Sequence, residues 1–159
     1  MKNIILILMI SSLFSSSTWQ SMDSQNPMPM NIKLISSNID KTVIEFSMEG
    51  FHLIPVNNSD EFIVKTENGA SILDKGNPDL QKITSSIIVP DDANMSVNII
   101  SYKYQDFNDI QIAPSKGNIS RLINPDDISF TYSDIYQEDA FYPNEISKLE
   151  DPYILRDFR

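Results

Sequence analysis

Short apolar stretches with a period of two recur along the chain beyond residue 30, separated by turn-forming residues. Ile44, Phe46 and Met48 alternate with polar neighbours, and Ile32 and Leu34 do so just before them. This period is typical of half-buried strands. The same pattern predicts strands at Phe62 and Val64, Ile87–Val89, Met95, Val97 and Ile99, Ile110 and Ile112, and Ile128, Phe130 and Tyr132.

Turn signals lie between these stretches, and no long segment has the period of a helix. At most, Asn144–Leu149 could form one helical turn after Pro143. The turn signals are Asn68-Gly69, Lys75-Gly76-Asn77-Pro78, Pro90-Asp91-Asp92, Pro114-Ser115-Lys116-Gly117 and Asn124-Pro125-Asp126-Asp127. Many short strands with regular turns favour an all-β fold, an antiparallel β-sandwich or barrel in a single domain.

The first 20 residues have the order of a signal peptide. Lys2 precedes the apolar run Ile4–Ile10, and small hydroxyl residues follow at 15–17. The run is too short for a membrane span, which needs about 20 apolar residues. We therefore expect a leader at 1–20, a polar linker at 21–30 and the β-domain at 31–159. The protein would be exported, passing through the periplasm and then being secreted or held at the cell surface.

Charge and cysteine content narrow the possible functions. The 12 Lys and Arg against 22 Asp and Glu give a formal charge of -10, which disfavours nucleic acid or an anionic membrane as a partner. The chain has no cysteine, so it has no disulfide, thiolate nucleophile or cysteine metal site.

No catalytic constellation can be named from the residues. His52 is the only histidine, and no particular serine and acid pair with it, which favours a structural role. Adjacent acidic residues in the turns are best interpreted as solvated turn residues, although the Asp126-Asp127 turn could bind calcium weakly. We expect no enzyme activity, no cofactor and no resident metal.

The segment 112–121, IAPSKGNISR, is the most unusual local feature. Pro114 and Gly117 are expected to bracket a tight turn with Lys116 at its tip, and Arg121 follows. Arg121 could be a solvated cation at a strand end, or an arginine presented on a firm loop to a trypsin-like pocket. The residues alone leave both interpretations open.

Several motifs in the second half resemble the N-terminal propeptide of the gingipains, cysteine endopeptidases exported by bacteria of the Porphyromonas type. The motifs, in order, are IAPSKG at 112–117, Ser120-Arg121, Asn124-Pro125, FYPNEI at 141–146 and DPYILRDFR at 151–159. Weaker similarity covers GNPDL at 76–80 and the strand around Ile44–Met48. Two departures, Gln81 and Ser129, replace prolines that are frequent in the family.

The resemblance implies a jelly-roll-like β-sandwich pro-domain that assists folding of the protease and blocks its active site. It implies that Arg121 enters the S1 pocket of the catalytic domain, which would be a partner in cis, with Pro114, Ser115, Lys116, Gly117 and Ser120 forming the inhibitory loop. It also implies that the family's propeptide continues beyond the equivalent of Arg159, so that the sandwich here would be C-terminally incomplete. The alternative is a stand-alone carbohydrate-binding or adhesin-like sandwich, which would use the tyrosine-rich second half.

Overall fold

Strands form in this protein where two stretches of chain lie side by side and their backbones pair. The computed structural model describes residues 17–90 and 93–153, and within them the regular structure is almost entirely strand. The strands are β1 Thr18–Ser21, β2 Asn31–Ser37, β3 Thr42–Ser47, β4 Gly50–Pro55, β5 Glu61–Lys65, β6 Ala70–Ser71, β7 Gln81–Lys82 and β8 Gln111–Ile112.

The largest sheet has the order β1-β4-β5-β8. β4 is its most buried strand, with Phe51 and Leu53 turned into the core, and Phe107 packs edge-on against Phe51 with ring centroids 5.0 Å apart. Gly50 begins β4 opposite Ser21, and a Cβ there would collide with Gln20 O and the Trp19 ring. A glycine is therefore required where the end of β1 pairs with the start of β4.

β2 and β3 form a separate antiparallel hairpin, with an irregularity between Leu34 and Ser36. Leu34 pairs with Ile44, and Ile32 pairs with Phe46, so these apolar residues share one face as their alternation predicted. β6 and β7 form a third, two-residue ladder, reinforced by the Ile72 N–H donating to Leu80 O over 3.0 Å.

The second half of the chain contains far less strand than its alternation predicted. The strands expected at Ile87–Val89, at Met95–Ile99 and at Ile128–Tyr132 are wrong, because these stretches meet no ladder partner. Ile88 is fully exposed. β8 is real but short, and it runs parallel to β5 rather than antiparallel. Alternation shows which residues could share a face, but it does not supply a neighbouring strand.

Helical structure is confined, in the described residues, to two 3₁₀ turns. They span Pro125–Asp127 and Asp134–Gln137, whereas Asn144–Leu149 forms only bends. Asn124 caps the first turn by accepting from the Asp126 N–H over 3.2 Å. No helix within 17–90 and 93–153 is long and apolar enough to cross a membrane.

Some predicted features lie outside the described residues. These are the apolar run of the leader, the Asp91-Asp92 turn and residues 154–159 of the C-terminal motif. The last leader positions and the segment 21–30 do lie within the structure. Thr18–Ser21 forms β1, and Met30 is buried and held by the Asn68 side chain, which donates to Met30 O and accepts from Met30 N, each over 2.8 Å.

Candidate functional site: a loop anchored at both ends

The segment that leads to Arg121 begins inside the core, not at the surface. Ala113 donates to Phe62 O over 2.8 Å, extending the β5–β8 pairing. Ala113, Pro114 and Ser115 are all buried. The sequence predicted a tight turn bracketed by Pro114 and Gly117, and the structure adds that the neighbouring backbone covers Pro114 and Ser115.

That neighbouring backbone is the Gly76-Asn77 turn. Gly76 N–H donates to Ser115 O over 2.9 Å, and Ser115 N–H donates back to Asn77 O over 2.7 Å. The Ser133 hydroxyl donates to Asn77 Oδ1, and the Asn77 amide donates to Asp74 Oδ2 over 2.6 Å. The buried amide and carbonyl of Ser115 are thus fully paired, which fixes the course of the chain at this point.

Lys116 is half-buried and is not at a free tip. Its Nζ donates to Pro125 O over 2.8 Å and lies 4.4 Å from the centroid of the Phe130 ring. Gly117 follows with a φ of +77°, a conformation that favours glycine, and its N–H donates to Ser115 Oγ over 3.2 Å. Lys116 ties the start of the loop to the 3₁₀ turn at its end.

Ser120 and Arg121 occupy the exposed part of this loop. Ser120 O accepts from the Ile123 N–H over 3.0 Å, which makes Arg121 and Leu122 the two central residues of a β-turn. Both side chains are exposed, Leu122 almost completely. The structure thus places an arginine at the tip of a loop whose two ends are anchored.

A buried carboxylate lies at the start of β5, next to β8. Glu61 is buried at the start of β5, where its oxygens accept from the Tyr132 hydroxyl at 3.0 and 2.9 Å and from Ser59 Oγ at 3.1 Å. The Tyr136 hydroxyl donates to Ile112 O over 2.9 Å. Burial raises the pKa of Tyr136, and the nearby Glu61 carboxylate raises it further. This cluster could not be predicted from the sequence, because its members are far apart in the chain.

His52 has the structural role that the sequence favoured. Its Nε2 lies 2.9 Å from Glu67 Oε1, and its ring packs edge-on against Trp19 at 5.0 Å between centroids. Its Nδ1 is buried without a hydrogen-bond partner among the described residues. These contacts join β1 to β4 and bring no hydroxyl nucleophile to the imidazole.

The tyrosines do not form one continuous patch. Tyr132 and Tyr136 pack edge-on at 5.2 Å and hydrogen-bond to interior groups, and Tyr142 donates to Asp74 Oδ2 over 3.2 Å. Tyr102 and Tyr104 lie side by side with centroids 6.2 Å apart, and both are largely exposed. Among the described residues, no cluster of three or more acids or histidines could hold a metal ion.

Comparison with known proteins assigns this chain to one family. The family model Propeptide_C25 matches residues 20–159. The chain belongs to this propeptide family. The family match confirms the resemblance drawn from the Ser120-Arg121 and Phe141–Ile146 motifs, and it confirms that the chain corresponds to a propeptide and not to a catalytic domain.

Relatives of this propeptide are found in Porphyromonas gingivalis. Gingipain R2 is 37% identical over 130 residues, which cover 80% of this chain and 18% of the relative. Gingipain R1 is 33% identical over 132 residues, covering 81% and 13%. The propeptide described here thus spans less than a fifth of the length of these relatives.

A solved structure, the complex of the Porphyromonas gingivalis RgpB pro- and mature domains, has the same fold. It matches with a TM-score of 0.73 at 37% identity, covering 79% of this chain and 67% of the other. The predicted all-β, antiparallel, single-domain class is confirmed. The parallel β5–β8 pair is an addition that the sequence did not predict.

Proposed function

We propose that this chain is the inhibitory pro-domain of a gingipain-like cysteine endopeptidase, and that Arg121 occupies the S1 pocket of the catalytic domain. The observation that carries the proposal is the exposed Arg121 turn, anchored at both ends, in a propeptide whose relatives are gingipains. The likeness to a pro-domain solved with a mature domain supports the catalytic domain as the partner.

The physical basis of inhibition is the cost of ordering a loop on binding. A flexible peptide loses conformational freedom when it enters a cleft, whereas an anchored loop has lost most of it already. An arginine also suits a pocket that ends in a carboxylate, because the guanidinium can donate two parallel hydrogen bonds. The Ser115 and Lys116 contacts supply the anchoring, and Arg121 supplies the recognised group.

Export is part of the same proposal. A propeptide must accompany its protease through secretion, and the order of Lys2, the Ile4–Ile10 run and the small residues after it is that of an exported leader. The pro-domain would pass through the periplasm with its protease and reach the medium or the cell surface. It would assist folding of the catalytic domain before it is removed.

An inhibition assay and a glycan screen together test the function. We expect the chain to inhibit an arginine-specific gingipain and to give no response on a glycan array. The exposed pair Tyr102 and Tyr104 is the feature that favours the alternative, a carbohydrate-binding module. Specific glycan binding that is lost in Tyr102→Ala, without inhibition of the protease, would establish that alternative instead.

A further inference from the structure

Lys116 differs from an ordinary surface lysine in having two specific contacts. Its Nζ donates to Pro125 O over 2.8 Å, and it lies over the Phe130 ring at 4.4 Å. Pro125 begins the 3₁₀ turn, and its carbonyl also accepts from the Ile128 N–H over 3.2 Å. The ammonium group therefore joins the first residue of the Arg121 loop to the first residue of the turn that ends it.

The other contacts at the start of this loop are made by Ser115, whose hydroxyl also accepts from the Gly117 N–H. Ser115 is paired with the Gly76-Asn77 turn on both its amide and its carbonyl, which fixes the loop on that side. On the far side, Asn124 caps the 3₁₀ turn locally but does not reach back to residues 113–117. Among the described residues, the Lys116 contacts form the side-chain link that closes the loop across residues 117–124.

We propose that Lys116 is a positioning residue that closes the Arg121 loop and keeps the Arg121–Leu122 bond from being cut as an ordinary substrate. This deepens the proposed function and rests on it for its biological meaning. A protease must draw several residues around the cleaved bond into an extended conformation. The Ser120–Ile123 turn must open for this, and a loop closed by Lys116 opens less often than one held at a single end.

Limited digestion of the full chain with trypsin tests the loop without any gingipain. Mass spectrometry follows the initial rate of the cut between Arg121 and Leu122, separately from cuts at lysines. Lys116→Met keeps the apolar stem but loses the ammonium donor. We therefore expect this cut to be roughly 3- to 10-fold faster, which is the effect of losing one hydrogen bond. Lys103→Met makes the same change at an exposed lysine and should leave the rate unchanged.

The conservative variant separates positioning from general stability. Lys116→Arg can still donate to Pro125 O and lie over Phe130, so it should restore the parental rate. Phe130→Leu should give an intermediate rate, because it removes only the ring contact. The inference is overturned if Lys116→Met is cut at the parental rate, or if Lys116→Arg does not restore that rate.

The inhibition assay gives an independent second readout. Lys116→Met should bind an arginine-specific gingipain at first and then lose inhibition with time as the loop is cut, while Lys116→Arg inhibits stably. If the parent chain does not inhibit at all, but the trypsin rates are as predicted, the proposed function fails and the positioning role of Lys116 stands.

Discussion

At the scale of single residues, Lys116 and Arg121 are cations of the same loop with opposite surroundings. Lys116 is half-buried and engaged with Pro125 and Phe130, whereas Arg121 is exposed at the centre of a turn. A cation held by a hydrogen bond and a ring contact positions the backbone around it, whereas an exposed cation remains available to a partner. The roles proposed for the two residues follow from this difference.

Asp79 is a second residue whose surroundings give a testable consequence. Burial raises the pKa of the Asp79 carboxyl, and the positive charge of Lys65 only partly opposes this. A carboxyl with a raised pKa in the folded state destabilises the fold once it is ionised. The penalty is absent below the unfolded pKa of about 3.9, and it grows as the pH rises through the raised pKa.

We therefore expect Asp79→Asn to be more stable than the parent at pH 7, with a difference that disappears as the pH falls below about 4. Melting temperatures across this pH range measure it. The exposed Asp106→Asn serves as the control for a change in net charge. A stability difference for Asp79→Asn that is constant with pH would show that the carboxyl acts through its shape or hydrogen bonding.

At the scale of elements, β1 lies at the end of the predicted leader and belongs to the main sheet. Thr18–Ser21 pairs with β4, and Trp19 packs against His52 and donates to Ser24 O over 3.0 Å. Met22, Asp23 and Ser24 all donate to Glu49 O. Residues at the end of the predicted leader thus contribute to the main sheet, which restricts where the leader can be removed.

We expect the leader to be cleaved before Thr18, earlier than the boundary at residue 20 expected from the sequence, so that β1 is retained. N-terminal sequencing of exported protein should begin at Ser16, Ser17 or Thr18. A chain started at Ser21 should melt at a lower temperature than one started at Ser16, because it lacks most of β1 and the Trp19 contacts. An exported chain that begins at Ser21 and melts as the longer one does would contradict this.

At the scale of the whole molecule, alternation predicted best the strands with a partner close in sequence, whereas β8 was also predicted but is short and pairs with the distant β5. Ile44 and Phe46 lie opposite Leu34 and Ile32 in one hairpin, so local alternation was sufficient. Ile88 shows the same local pattern but pairs with no strand. Whether an alternating stretch becomes a strand depends on distant residues, which a local pattern does not contain.

The candidate site likewise depends on residues that are distant in the sequence. Presentation of Arg121 on a firm loop was one of two interpretations that the sequence left open, the other being a solvated cation at a strand end, and the resemblance favoured the first. Burial of Ser115 and engagement of Lys116 depend on Asn77 and Pro125, which approach only in the folded chain. The motif thus identified the loop, and only the fold showed how it is held.

The central claim is that the chain blocks a gingipain-like protease by presenting Arg121 on this loop. The most direct measurement is the inhibition constant of an arginine-specific gingipain for the parent chain, Arg121→Ala and Arg121→Lys. We predict that alanine weakens inhibition by about 30- to 1000-fold, or about 2 to 4 kcal/mol, with an unchanged melting temperature. Lysine should recover only part of this, because an ammonium cannot form the planar two-bond contact. An Arg121→Ala chain that inhibits as strongly as the parent would contradict the account.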